Sequence, residues 1–384
     1  MIEFYSLPGK EKVKTFPFLT FDFEYAILAK KQTRINYRQI EVSRAMQRER
    51  ITENIYWFQS ELYAQVTAGV IVGPQWAIVV DTLALPEESI AIRDFVLNTL
   101  ELPIRYLINT NGRADHAWGN MFFPGATIIS HTLCSKYLKE TGIPSLEATK
   151  KQNVQFQNTS IVLPHLTFSQ GDLTLKIGKK NIQLMLTPGY AEDGISVFVE
   201  EDRVLFAGDA FMPIPQIESV HYTQAIRVIK EIGDMGLENI IQGHGDIILR
   251  GEIEDAVHEN INYLEKLHEI ASSAVKRRDP ASYLNQFSIE DCGKSRVYLG
   301  GVAEQLHRNN LINMFKQVVA EVGLPKSDDE YEDELDDDDF DDMFFNGTNN
   351  YDESDTNVHD SDDDYPAGKD HNDLDDIDDF MFYP

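Results

Sequence analysis

Cysteine is scarce in this chain. Cys134 and Cys292 are the only two in 384 residues, too few for the disulfide framework that staples small secreted folds. Long apolar runs are also missing. The richest stretch, 66–80, is interrupted by Gly73-Pro74 and is too short to cross a bilayer as a helix. The opening Met1-Ile2-Glu3-Phe4-Tyr5 lacks the basic start and apolar run of an export signal, so a cytoplasmic protein with no membrane segment is expected. Positive charge is in deficit, with 34 Lys and Arg against 64 Asp and Glu, a net of −30. No basic patch dominates, which argues against a nucleic-acid-binding surface.

The charge is unevenly spread. Residues 327–384 hold 25 acids and one lysine, which leaves 39 acids and 33 bases to residues 1–326. The body of the chain is only mildly acidic, and its apolar share can fill a core. The acidic end keeps no hydrophobic period and is read as a disordered tail, because such a composition buries too little apolar surface to offset chain entropy. It still carries two similar clusters, around Phe340 with Phe344 and around Phe380 with Phe382, set among aspartates. Acids keep such aromatics soluble until they dock, so a protein partner for the tail is expected.

Three divisions follow: an extension over 1–50, a folded domain over 51–326 and the tail over 327–384. Within the domain, runs of β-branched and aromatic residues at 55–58, 64–72, 76–80, 104–108 and 126–130 predict strands, with Gly73-Pro74 at a hairpin. A second series follows at 173–177, 182–186, 195–199 and 204–207. Helical spacing of apolar residues predicts helices over 86–100, 222–232, 252–276 and 295–322, the last weakened at Gly300-Gly301. The alternation implies an α/β protein with two mixed sheets covered by helices.

Two stretches carry the chemistry. One is Asn109-Thr110-Asn111-Gly112-Arg113-Ala114-Asp115-His116, and the other runs from Gly208-Asp209 to Gly243-His244-Gly245. With Val79-Val80-Asp81-Thr82 and Thr187-Pro188-Gly189-Tyr190 beside them, they resemble in order the motifs of the metallo-β-lactamase superfamily, the glyoxalase II type above all, because position 209 is Asp. The resemblance reaches from about Ile51 to Asp246 and implies a four-layer αβ/βα sandwich with metal at one edge. The family's first motif is His-x-His-x-Asp-His. Here its first two His positions are Asn111 and Arg113, and a further family His is Tyr190. The resemblance therefore implies a lost first metal site and a second kept whole by Asp115, His116, Asp209 and His244.

Two His and two carboxylates suit one divalent metal, zinc in the first instance, with iron or manganese as alternatives. Two carboxylates neutralise a dication and make its water less acidic than an all-His site would. Arg113 would put a fixed positive charge near the vacated first site, and Tyr190 could donate a hydrogen bond there. Both, with Asp115, are expected to act in catalysis on a small-molecule or peptide substrate. A plainer reading pairs Arg113 with an acid such as Glu192 or Asp193, simply blocking the hole. The expected activity is hydrolysis of an ester, thioester, amide or phosphoester. The rivals are an inactive binding protein working through its tail and an iron-dependent redox protein on the same fold.

The remaining candidates read as structural. His131, His165 and His221 fall near strands or loops. His258, His268 and His307 fall on helices and look solvent-facing. Asp81 would orient the first-motif loop, Cys134 is a small buried residue, and Ser196 lacks a Gly-x-Ser-x-Gly setting.

Overall fold

Residues 46–323 are described by a computed structural model. The tail and most of the extension lie outside them. Thirteen strands form two sheets. The first holds seven in sequence order: β1 Met46–Thr52, β2 Ile55–Ser60, β3 Thr67–Val72, β4 Ala77–Val80, β5 Ile104–Ile108, β6 Thr127–His131 and β7 Leu166–Phe168. β1 to β4 pair antiparallel, and β4 to β7 pair parallel. The second sheet holds β8 Leu173–Ile177, β9 Lys180–Leu186, β10 Ile195–Val199, β11 Val204–Gly208, β12 Asn239–Gln242 and β13 Ile248–Leu249. There only β11 and β12 run parallel.

The central strands read as unbroken apolar runs because both faces of both sheets are buried. In β4, Ile78 and Val80 point between the sheets, while Ala77 and Val79 point to the helices of the first layer. β11 repeats this alternation, with Val204 and Phe206 between the sheets and Leu205 and Ala207 toward the other helical layer. The expected four-layer αβ/βα sandwich is present. Two faces that each need cover give that layering. Each fully buried side chain of the inter-sheet layer contributes about 1.5–3 kcal/mol. The layer is tight at Gly69, where a Cβ would run into the Phe206 ring.

The helices depart from their expected bounds in instructive ways. The helix expected over 86–100 is α1 Pro86–Asp94, opened by a proline at its first turn, followed by a π-helical turn over Phe95–Thr99. The helix expected over 295–322 begins only at Ala303 (Ala303–Val322), because Leu299 and Gly300 hold left-handed backbone, with φ of 58° and 68°. Helices at Thr132–Tyr137 and Ile143–Gln152 show no clear apolar period. Only Cys134, Leu138, Gly142 and Leu146 are buried along them and the turn between. The strand β1 lies partly inside the stretch read as an extension. Its burial is slight, and backbone pairing to β2 is what makes it a strand. Among the described residues no helix is long and apolar enough to cross a membrane.

Four strand ends converge on one edge of the sandwich. The parallel pair β4 and β5 delivers Asp81 and the loop 109–116. The parallel pair β11 and β12 delivers Asp209 and His244. Ligand sites in open α/β sheets lie at the carboxyl ends of strands for this reason.

Candidate metal centre

Asp115 and His116 are neighbours, and on a strand they would face opposite ways. The chain solves this with a single helical turn, Ala114–Ala117, which buries both. Asp209 follows Gly208, whose φ is +53° and whose absent Cβ would meet Thr110 at 2.7 Å. Before His244, a Cβ on Gly243 would collide with Asp209 Oδ1. The two glycines let strands β11 and β12 bring their ends against the first-motif loop.

The structure brings the four expected residues together. Donor atoms of Asp115, His116 and His244 all lie within 4.8 Å of one another. Asp209 Oδ1 stands 3.2 Å from His116 Nε2 and 3.7 Å from His244 Nε2, and Asp115 Oδ2 stands 3.1 Å from His244 Nε2. Both rings are held from behind. His116 Nδ1 lies 3.0 Å from Asp81 Oδ2, and His244 Nδ1 donates to the Ala64 carbonyl at 2.9 Å. A proton on each Nδ1 leaves each Nε2 a free lone pair, the tautomer a metal needs. Asp81 itself sits at a φ of 59° and accepts from the Thr110 amide and hydroxyl. It orients the loop, as its place at the strand end suggested.

Among the four candidate ligands, two buried atoms have no hydrogen-bond partner: His116 Nε2 and Asp209 Oδ1. They are close, yet not aligned with each other. Leaving such groups unsatisfied costs about 1–3 kcal/mol each. A cation between them would satisfy both, so the residues fit one divalent metal. The charges agree. Burial would lower the His116 pKa, but Asp209, Asp115 and Asp81 overrule it and raise it well above the usual value. Burial would raise the carboxyls of Asp115 and Asp209, but the His116 charge heads the influences that hold both low. The pocket is built for positive charge.

The altered positions are arranged differently. Asn111 Nδ2 donates to Asp209 Oδ2 at 2.8 Å, and Asn111 Oδ1 accepts from the Arg113 amide. Arg113 pairs with Glu218, not with Glu192 or Asp193. Asp193 instead accepts from the Gly112 amide. The guanidinium lies 3.9 Å over the Tyr137 ring and 5.4 Å from Tyr190. Arg113 Nη1 is buried without an acceptor. A cavity of about 530 Å³ opens over both halves and extends to Trp118, Phe156 and the helix Ala303–Val322. Tyr63, Tyr137 and Glu218 carry no motif, so sequence alone did not point to them.

The other histidines divide. His131, His165 and His221 accept from backbone amides or cap helices. His258 is exposed and His268 stacks on Tyr222. His307, expected to face solvent, is fully buried beside Tyr263 Oη at 3.1 Å. Its helix is covered on that side by Ile253–Ala274, and a helical period cannot say which stripe a neighbouring helix covers. Cys134 is buried, and burial raises its thiol pKa.

Residues 63–244 match the profile of the Metallo-beta-lactamase superfamily. The beta-lactamase-like protein 2 homolog of Caenorhabditis elegans is 24% identical over 182 residues, covering 47% of this chain and 54% of that protein. The match thus spans about half the length of that relative. Among solved structures, a metallo-beta-lactamase family protein from Thermus thermophilus aligns with a TM-score of 0.54 at 16% identity, over 71% of this chain and 95% of that one. The stereoselective inverting sec-alkylsulfatase from Pseudomonas sp. aligns with a TM-score of 0.52 at 13% identity, over 70% and 50%. At such identities the structural likeness speaks of fold alone.

Proposed function

We propose, from the match of residues 63–244 to the metallo-β-lactamase superfamily, that the chain is a metal-dependent hydrolase of that superfamily with a mononuclear site. Asp115, His116, Asp209 and His244 would hold the ion, zinc in the first instance, with iron or manganese as alternatives. The observation that carries this reading is the pair of buried, unsatisfied atoms, His116 Nε2 and Asp209 Oδ1, set among further donors. A metal bound there would lower the pKa of a water that could attack an ester, thioester, amide or phosphoester.

The chain's own residues do the rest. Asp81 and the Ala64 carbonyl fix the two imidazoles. Arg113, clamped by Glu218 and the Tyr137 ring, sets a fixed positive charge in the wall of the cavity, suited to negative charge that develops on a substrate oxygen. Burial would lower its pKa, but the charges around it, the paired Glu218 carboxylate among them, raise it above its usual value, so the charge is permanent. Tyr190, buried against Arg113, stays protonated because burial raises its pKa. Its phenol remains a donor. A cytoplasmic setting suits the two free thiols, both buried.

The test is elemental analysis of full-length protein, chelator-washed and reloaded, beside a panel of ester, thioester, amide and phosphoester reporters. One equivalent of metal and metal-dependent turnover are expected. Two equivalents would refute the ligand assignment. Iron with no hydrolysis would favour a redox role. No metal would favour a binding protein acting through its acidic tail, a reading to which the filled first-site positions Asn111 and Arg113 lend support.

A further inference from the structure

The turn joining β2 to β3 is strained where it meets the centre. Ala64 and Gln65 are consecutive non-glycine residues with φ of 40° and 52°, a conformation that L side chains avoid. Such strain persists only where the surroundings over-determine it. Here they do. Ser60 Oγ accepts from the Leu62 and Tyr63 amides, and the Val66 amide donates to the Tyr63 carbonyl. The Gly245 amide donates to the Gln65 carbonyl, and the Thr67 amide to the Gly243 carbonyl, each at 2.9 Å. Gln65 Oε1 accepts from the amide of Leu299, itself left-handed. The turn is thus clasped to the His244 loop on one side and the 299–301 bend on the other.

This strain has two products. It aims the Ala64 carbonyl at His244 Nδ1. It also carries Tyr63 into the cavity shared with Asp115, Asp209, His244 and Arg113. Among the described residues the Tyr63 hydroxyl makes no hydrogen bond to protein, although its backbone is fully engaged. The cavity is therefore lined by a hydroxyl without a protein acceptor, Tyr63 Oη, together with the Arg113 side chain, beside Asp115, Asp209 and His244. That arrangement suits an oxyanion.

We propose that Tyr63 is a substrate-contacting hydrogen-bond donor, delivered by the strained turn that orients His244, and that the group it contacts is an oxyanion of the substrate. The inference rests on the metallohydrolase reading of the same site. Burial heads the influences that raise the phenol pKa above its usual value, so the hydroxyl keeps its proton and can donate it.

The experiment compares wild type, Tyr63→Phe and Leu62→Ala as full-length, zinc-loaded proteins. Leu62 is an exposed neighbour on the same turn and serves as control. Inorganic phosphate is titrated and followed by calorimetry, and reporter hydrolysis is measured in parallel. Tyr63→Phe should keep zinc content and melting temperature. It should weaken phosphate binding about tenfold or more, as loss of a hydrogen bond to a charged group does, and lower kcat more than it raises KM. Leu62→Ala should match wild type. Equal phosphate affinity in wild type and Tyr63→Phe, no phosphate binding by either, or loss of zinc from Tyr63→Phe would overturn the proposal. Tyr63-dependent phosphate binding with no hydrolysis by wild type would sink the hydrolase reading and leave the Tyr63 assignment standing.

Discussion

The retained half of the centre and the altered half lie side by side and handle their polar groups in opposite ways. At Asp115, His116, Asp209 and His244, partners behind the rings fix orientation, and buried atoms in front are left open. At Asn111 and Arg113, the side chains turn on the protein itself, one to Asp209 and one to Glu218. The exception is Arg113 Nη1, which is buried without an acceptor. A relic would be expected to close its buried polar groups, because leaving them open costs stability. The contrast is the one expected of the proposed metal site, with open donors at Asp115, His116, Asp209 and His244 and the side chains of Asn111 and Arg113 turned on the protein.

The largest effect should come from exchanging one residue in each half. His116→Gln is expected to lose all bound metal, and Asn111→Ala to keep its one equivalent. Elemental analysis of both decides it. Metal kept in His116→Gln but lost from Asn111→Ala would reverse the assignment of the two halves.

The contrast can also be broken by construction. Changing Asn111, Arg113 and Tyr190 together to His replaces a permanent cation with neutral ligands and should add a second equivalent of metal. Position 111 already reaches Asp209 at 2.8 Å. Stoichiometry that stays at one in a folded triple variant would mean that the loop, clasped by Asp193 through Gly112, no longer permits the older geometry.

A smaller effect calibrates burial itself. Glu88 is fully buried on α1 with no cation beside it, and burial raises its pKa to about 7 from an ordinary 4.5. Asp115 and Asp209 are as deep, yet their histidines hold them low. The signs are opposite. A raised folded pKa means that the Glu88 contribution is present below about pH 4.5 and is lost as pH rises through about 7. Over that window wild type should lose roughly 3 kcal/mol relative to Glu88→Gln. Urea melts at several pH values test this. Parallel curves for the two proteins would show that Glu88 is ionised without cost.

The smallest effect is expected from the tail. Deleting 327–384 should leave the melting temperature unchanged, since so acidic a stretch offers little core. Partners captured by the full chain should be lost on deletion, on raising salt, and on changing Phe340, Phe344, Phe380 and Phe382 to Ala. Identical partners for all forms would leave the tail as a solubiliser.

Sequence by itself determined the layers and which residues stand as candidate donors at the strand ends. Strands buried on both faces announce themselves as β-branched runs, and Asp115-His116, Asp209 and His244 stood in a recognisable order at strand ends. What escaped was whatever depends on a neighbour. Met46–Thr52 is polar and half open, a strand only because β2 offers an unpaired edge. Glu218 meets Arg113 across 105 positions, and Tyr63 reaches the centre because a strained turn is clasped to His244. The direction of Asp115 and His116 was settled by a single helical turn that their adjacency did not reveal. Hydrophobic period is local and survives in a linear string. The partner of a charge, the strain of a turn and the covered stripe of a helix are fixed only when distant segments pack.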